Sequence, residues 1–199
     1  DTSFVSLHDG MKSNYHYVLW FEDDRTILLK HFDYPYSFPD VGNPKWLYFS
    51  SVGEQSLPYH HEIIEFLKSH PETKLAFQPG TFQMKLGFAK LRELYQHTEI
   101  FFCNVEEAQR MLGTEEKNVG KLLRLMREEG PKTIVITDGP RGAYAYDGSE
   151  AWFMPPYPDP KPPYERTGAG DAFASTLTSA LALGKSLDEA LMWDLLTLC

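Results

Sequence analysis

The spacing of apolar positions changes along the chain. Residues 15–21 and 26–32 are β-prone runs rich in Tyr, Val, Ile and Leu, and the polar run Glu22-Asp23-Asp24-Arg25 separates them. That pattern predicts a β-hairpin with a short polar turn. Residues 33–44 carry Pro35, Pro39, Pro44 and Gly42 and predict a connection. From Lys45 onward strands and helices alternate. Short apolar strands are predicted over 46–50, 74–77, 100–103 and 133–137. Between them lie helical patterns: 57–69 with Ile63, Ile64 and Leu67; 88–97 with Leu91, Leu94 and Tyr95; 105–112, stopped by Gly113; and a helix marked by Val119, Leu122, Leu123 and Met126 that ends at Gly130-Pro131. A second hairpin is predicted over 143–146 and 151–154, turning at Asp147-Gly148, followed by a Pro-rich stretch over 155–163. A helix over 172–183 places Phe173, Leu177, Ala180 and Leu181 inward and ends at Gly184. Ser186 with Glu189 predicts a capping box for the last helix.

Alternating helices and continuously apolar strands predict an α/β fold, a mostly parallel sheet with helices on both faces. The first hairpin falls outside that rhythm and reads as a lid. The expected division is a lid hairpin with its connection over 1–40 and an α/β core over 41–199. The pattern contains no internal repeat.

Composition narrows the function. The 199 residues are 42% hydrophobic and 24% charged, as in a globular domain with a sizeable core. The net charge of −9, from 28 acidic against 19 basic residues, argues against a large nucleic-acid or anionic-membrane footprint. A small phosphorylated ligand needs only a few local donors and stays compatible. No apolar run approaches the about 18 residues of a membrane span, and no signal peptide opens the chain. Cys103 and Cys199 make neither a disulfide framework nor a zinc site, which fits a reducing cytoplasm. The chain opens at Asp1 without Met and stops inside a helical pattern, so both ends are expected to be cut ends.

The sharpest chemistry lies in Thr167-Gly168-Ala169-Gly170-Asp171-Ala172-Phe173, after the Pro-rich stretch and at the start of an amphipathic helix. The glycines let backbone N–H groups of Gly168, Ala169 and Gly170 turn toward one point at the positive end of the helix dipole, which makes an anion hole. Asp171 faces the same point. A carboxylate beside an anion hole makes sense if it takes a proton from an attacking hydroxyl while the hole steadies a transferring phosphoryl group. On the tetrapeptide alone, a Gly-rich helix start with Asp171 as a dipole partner is an equal reading. A dinucleotide fingerprint fits worse, because G-x-G-x-x-G spacing is absent.

This arrangement resembles the ribokinase (pfkB) carbohydrate-kinase family, whose second signature is built around Gly-Ala-Gly-Asp. Three more stretches match in order. Asn104-Val105-Glu106-Glu107 looks like the family's Asn-x-x-Glu motif, which implies that Asn104 and Glu107 organise Mg²⁺, waters and ATP phosphates, Glu107 reaching the metal through water. It is also an ordinary helix cap, and the two can coexist. Thr137-Asp138-Gly139-Pro140-Arg141-Gly142 looks like the loop that cups the nucleotide, with Thr137, Gly139 and Gly142 beside it; Thr167 joins the nucleotide set. The 15–32 hairpin looks like the family's lid over the sugar, or else an edge hairpin for packing or dimerisation.

The resemblance implies a ribokinase-like fold, ATP and Mg²⁺ as cofactors, and transfer of the γ-phosphoryl group to a hydroxyl of a sugar, with Asp171 as base. A nucleoside acceptor and a catalytically incomplete, nucleotide-binding fragment are the alternatives, and a homodimer through the lid is expected. The chain departs from the family in three places. Glu165-Arg166 stands where Asp-Thr is usual, the N-terminal Gly-Gly-Asn region is absent, and residues 193–199 do not resemble the adenine-pocket helix. These departures point to a truncated gene product or a disrupted reading frame. Arg166 is read either as a phosphate contact or as a surface residue.

Other candidates are plainer. His60-His61-Glu62 reads as a solvated helix face rather than a metal site. Gln78-Pro79-Gly80-Thr81 ends a strand where α/β folds bind ligands and reads as a turn that could line the acceptor site. Trp20, Phe21, Tyr34 and Tyr36 read as packing, as a sugar platform or as a dimer contact.

Overall fold

The computed structural model describes residues 3–21, 24–158 and 167–194. It opens with the antiparallel pair β1 (Tyr15–Phe21) and β2 (Asp24–Lys30), which forms a sheet of its own. The core follows as β3 (Trp46–Phe49), α1 (Leu57–Ser69), β4 (Lys74–Phe77), α2 (Thr81–Gln96), β5 (Thr98–Asn104), α3 (Val105–Leu112), α4 (Val119–Glu128), β6 (Thr133–Thr137), a 3-10 turn (Gly139–Arg141), β7 (Ala143–Tyr146), β8 (Ala151–Met154), α5 (Ala169–Ala182) and α6 (Leu187–Asp194).

The core sheet runs in strict chain order, β3-β4-β5-β6-β7-β8. β3 to β6 are parallel, and β7 and β8 are antiparallel. Right-handed crossovers that always step the same way along a sheet place their helices on the same face. α1 to α4 accordingly share one face, where Ile63, Leu67, Leu91, Leu94, Tyr95, Leu122 and Met126 pack on Leu75, Phe77, Phe101, Ile134 and Ile136. The opposite face, Ala76, Ile100, Phe102 and Val135, is left for α5 and α6, which bring Phe173, Ala174, Leu177, Ala180, Ala190 and Leu191. Because both faces are covered, the central strands are apolar throughout rather than alternating. Phe101 is fully buried, and a side chain of that kind contributes about 1.5–3 kcal/mol by leaving water.

α2 differs from its sequence pattern. It starts at Thr81 rather than at residue 88, and Gly87 interrupts it at φ 73, ψ 171. The apolar periodicity picks out only the second piece, because the first packs less deeply and its start is set by Gln83, whose Oε1 accepts from Gly80 N–H at 2.8 Å. The last helix begins as its pattern predicts, with Glu189 Oε2 accepting from Ser186 N–H at 3.2 Å. In the first hairpin Tyr15, Tyr17, Leu19, Ile27, Leu28 and Leu29 all remain exposed. Among the described residues, no helix is long and apolar enough to cross a membrane.

Candidate active site

Four parallel strands end side by side. Phe49 lies beside Phe77, Phe77 beside Phe101, and Asn104 beside Thr137. The residues just past those ends therefore share one rim, the carboxyl edge where open α/β sheets place ligands. The start of α5 reaches that rim from the opposite face of the sheet. Gly168 caps the helix at φ 81, a left-handed conformation that favours glycine. The first intrahelical bond runs from Ala172 N–H to Gly168 O at 2.8 Å. The N–H groups of Ala169, Gly170 and Asp171 precede it and have no intrahelical acceptor. A Cβ placed on Gly168 or Gly170 would meet nothing within 4 Å, so both glycines border open space.

Asp171 stands in the exposed first turn of α5, and Gln78 holds it. Gln78 Nε2 donates to Asp171 Oδ1 at 3.0 Å. Gln78 is itself fixed at the end of β4, where its N–H donates to Phe49 O at 2.9 Å. On the neighbouring strand, the Tyr48 hydroxyl donates to Gln78 Oε1. The Tyr48 phenol is pushed up to about 12, first by burial and then by the Asp171 charge, against an opposing hydrogen bond from Ser50.

Asn104 and Glu107 form a reciprocal cap at the start of α3. Glu107 N–H donates to Asn104 Oδ1 at 2.8 Å, and Asn104 N–H donates to Glu107 Oε2 at 2.9 Å. Burial raises the Glu107 carboxyl above its ordinary range; the Asn104 N–H and Arg110 oppose that, while Glu106 and Asp171 add to it. A half-buried carboxyl under the influence of a second carboxylate is a site that a cation would relieve. Burial likewise pushes the Cys103 thiol up, with Glu107 adding to it, so this cysteine is an inert core residue.

Thr137 closes β6, and the chain then turns through Gly139 at φ 52 and Gly142 at φ 98. Asp138 N–H donates to Gly142 O at 2.8 Å, and Arg141 grips the Asp138 carboxylate with Nε at 2.7 Å and Nη2 at 2.6 Å. Gly139 borders open space, whereas a Cβ on Gly142 would collide with the Met154 carbonyl oxygen. The missing side chain at Gly142 is thus accounted for by the approach of β8. A surface pocket of about 420 Å³ lies between this turn and α3, lined by Val105, Glu106, Gln109, Lys117, Asp138 and Arg141. Lys117 and Gln109 carry no motif, and only the fold brings them to the rim.

The structure therefore gathers Asp171, the Gly168–Gly170 backbone, Asn104, Glu107, Thr137 and Gly139 on one edge. Thr167 precedes the helix and has a partner of its own. Gln78, read as part of a turn, proves to bond Asp171, and Tyr48 carried no signal beyond its place in a short strand. One sequence expectation fails. His60 is not on a solvated face: it is completely buried, with Nδ1 donating to Ser56 O at 2.7 Å and Nε2 facing Gln83 Nε2 at 3.3 Å. His61 is exposed, and among the described residues no group of three or more His, Cys, Asp or Glu could hold a metal. Of the aromatic set, Tyr34 and Tyr36 make local contacts of their own. Tyr36 packs on Tyr59 at 5.7 Å, and Tyr34 donates its hydroxyl to Lys12 O at 2.6 Å. The side chains of Trp20 and Phe21, the Glu165-Arg166 pair and residues 195–199 lie outside the described residues.

A family model described as pfkB family carbohydrate kinase matches residues 11–192. Cytidine kinase of Thermococcus kodakarensis is 37% identical over 99 residues, which cover 50% of this chain and 35% of that protein. Bifunctional protein HldE of Aeromonas hydrophila is 32% identical over 179 residues, 83% of this chain and 36% of that protein. Ribokinase from Cryptococcus neoformans var. grubii serotype A, solved in complex with ADP, superposes with a TM-score of 0.74 at 23% identity, covering 95% of this chain and 65% of that one. That likeness concerns the fold, which is ribokinase-like, as the sequence motifs implied. The chain spans about a third of the length of these two curated relatives.

Proposed function

We propose, for a chain that belongs to the pfkB family of carbohydrate kinases, that it serves transfer of the ATP γ-phosphoryl group to a hydroxyl of a sugar. One observation carries this reading: the first turn of α5, whose leading N–H groups have no intrahelical acceptor, carries the Asp171 carboxylate and meets Gln78 on the edge where the strands end. The acceptor oxygen attacks the γ-phosphorus and its proton passes to Asp171. The bond from that phosphorus to the bridging oxygen of ADP breaks, and ADP leaves. The N–H groups of Gly168, Ala169 and Gly170 face the phosphoryl oxygens as they gain charge, at the positive end of the helix.

Mg²⁺ carried with ATP supplies charge neutralisation at the phosphates. The reciprocal cap uses Asn104 Oδ1 and Glu107 Oε2, so Glu107 Oε1 would remain to accept from the waters of the hydrated ion and Asn104 Nδ2 to donate to a phosphate oxygen. The raised Glu107 carboxyl suits that task, because a cation favours its charged form. Thr137 and Gly139 border the nucleotide, and Thr167 and Gly142 flank them. Residues 1–40 act as a lid unit over a core of 41–199, and the exposed apolar hairpin pairs with a second copy to form a homodimer. Sedimentation that finds only monomer would remove the dimer. A small-molecule kinase with free, buried Cys103 fits a cytoplasmic setting.

A nucleoside acceptor is the second reading, favoured by the 37% identity over 99 residues to a cytidine kinase. The deciding experiment measures ADP release from Mg·ATP with ribose, fructose, other hexoses, adenosine and cytidine, in parallel with Asp171→Ala. Acceptor-dependent release that collapses in the variant supports the mechanism and names the acceptor. Release unaffected by the substitution sinks it. Mg·ATP binding without release for any acceptor points instead to a nucleotide-binding fragment.

A further inference from the structure

An exposed aspartate in the first turn of a helix can ordinarily rotate through several side-chain orientations. Asp171 is held in one by a contact that crosses 93 residues of sequence, from Gln78 Nε2 to Oδ1 at 3.0 Å. The amide comes from the sheet and the carboxylate from α5, the helix that covers the face opposite α1 to α4. The bond therefore ties the first turn of α5 to the carboxyl edge of β4.

An amide has a donor end and an acceptor end, and a carboxylate accepts only. Which end of Gln78 faces Asp171 is decided on its other side. The Tyr48 hydroxyl donates to Oε1, so Nε2 is turned toward Asp171. Tyr48 lies on β3 in register with Ala76, two residues before Gln78 on β4, so adjacent strands hold both members. The phenol, pushed up to about 12, stays protonated and remains a donor across the physiological range. Pro79 follows Gln78 and restricts its backbone to extended conformations, which fixes where the amide begins.

Resting on the kinase reading above, we propose that Gln78 is the positioning residue for Asp171 and that Tyr48 sets the sense of its amide. The amide occupies Oδ1, leaving Oδ2 as the oxygen presented to the acceptor hydroxyl. Gln78 does not touch the acceptor and acts through the carboxylate alone. A glutamate of the same shape could not replace it, since it would set a second negative charge against the base.

The test uses the full-length protein and its acceptor, with Gln78→Leu, Gln78→Glu, Tyr48→Phe, Tyr48→Phe/Gln78→Leu and Asp171→Ala assayed for kcat and for KM of Mg·ATP and of the acceptor. Gln78→Leu is expected to lower kcat roughly 10- to 100-fold, in line with the cost of misplacing a catalytic group by about 1 Å, while both KM values stay within about twofold. Gln78→Glu, isosteric and least disturbing to the fold, is expected to lower kcat at least as far. Tyr48→Phe lowers it less, and adds nothing in the Gln78→Leu background, because the two act in series. Gln78→Leu at wild-type kcat, a loss confined to KM or melting temperature, or a Tyr48→Phe effect that persists undiminished without Gln78 overturns the inference and leaves the kinase reading intact. Turnover that survives Asp171→Ala, or no turnover in the wild type with any acceptor, removes the kinase reading and this inference with it.

Discussion

Asn104 and Glu107 exchange hydrogen bonds with one another's backbone N–H groups, at 2.8 and 2.9 Å, and so close the start of α3 beneath the rim that Asp171 faces. The cap consumes one oxygen of each side chain, and burial raises the Glu107 carboxyl above its ordinary range. A carboxyl whose folded value is raised stabilises the fold most below its unfolded value near 4.5, and that contribution is lost as pH rises through the folded value. At neutral pH the Glu107 charge is therefore a cost to the fold.

Glu107→Gln keeps an oxygen for the Asn104 N–H and removes the charge. Its stability at pH 7 should equal or exceed wild type in a urea melt, while Mg·ATP affinity falls, read by titration calorimetry. Asn104→Ala removes the capping oxygen and should cost about 0.5–2 kcal/mol. A Glu107→Gln protein that is less stable yet binds Mg·ATP normally would make the residue a cap alone.

Gly170 separates stability from function in the same way. It sits in the first turn of α5, with open space where a Cβ would go. Alanine is better than glycine inside a helix by about 0.5–1 kcal/mol, so Gly170→Ala should raise the denaturation midpoint. The new methyl group would occupy the face proposed for the phosphoryl oxygens, and ADP release should fall. A variant that is both more stable and fully active would remove Gly170 from the anion hole. Gly168, at φ 81, allows no such separation, since a side chain there is strained in any case.

His60 gives the molecule a pH-dependent stability. Its Nδ1 donates to Ser56 O, its Nε2 faces Gln83, and Gln83 in turn bonds Ser50 O at 3.2 Å and Gly80 N–H at 2.8 Å, tying the loops that follow β3 and β4. Burial lowers the His60 pKa below its ordinary 6.5, against the Ser56 bond, with His61 lowering it further. The unfolded chain therefore binds the proton more readily. This stability is complete above pH 6.5 and is lost as pH falls from there through the lower folded value. The protonated ring would also set an N–H against the Gln83 amide nitrogen. Thermal melts from pH 7.5 to 5 should show the wild-type midpoint falling, and His60→Leu should flatten that slope while lowering the midpoint at pH 7.5. Parallel slopes for the two proteins would place the proton uptake elsewhere.

Local chemistry made much of this protein legible in its sequence. Apolar spacing places the strands and most helices, because period 2 and period 3.6 are properties of short segments; Gly113 and Gly184 end helices, and Asn104 with Glu107 starts one, through bonds spanning a few residues. Gly168 to Asp171 declare a helix start with a carboxylate at its mouth for the same reason. The tertiary structure decided what depends on distant partners. The periodicity is silent on the first piece of α2, whose start rests on Gln83, and it cannot tell the buried His60 from the exposed His61 beside it. It cannot assign four crossover helices to one face and α5 to the other, which follows from strand order and handedness. Nor can it join Gln78 to Asp171: a glutamine before Pro-Gly looks like any turn until the sheet and α5 pack, and only then does its amide meet the carboxylate.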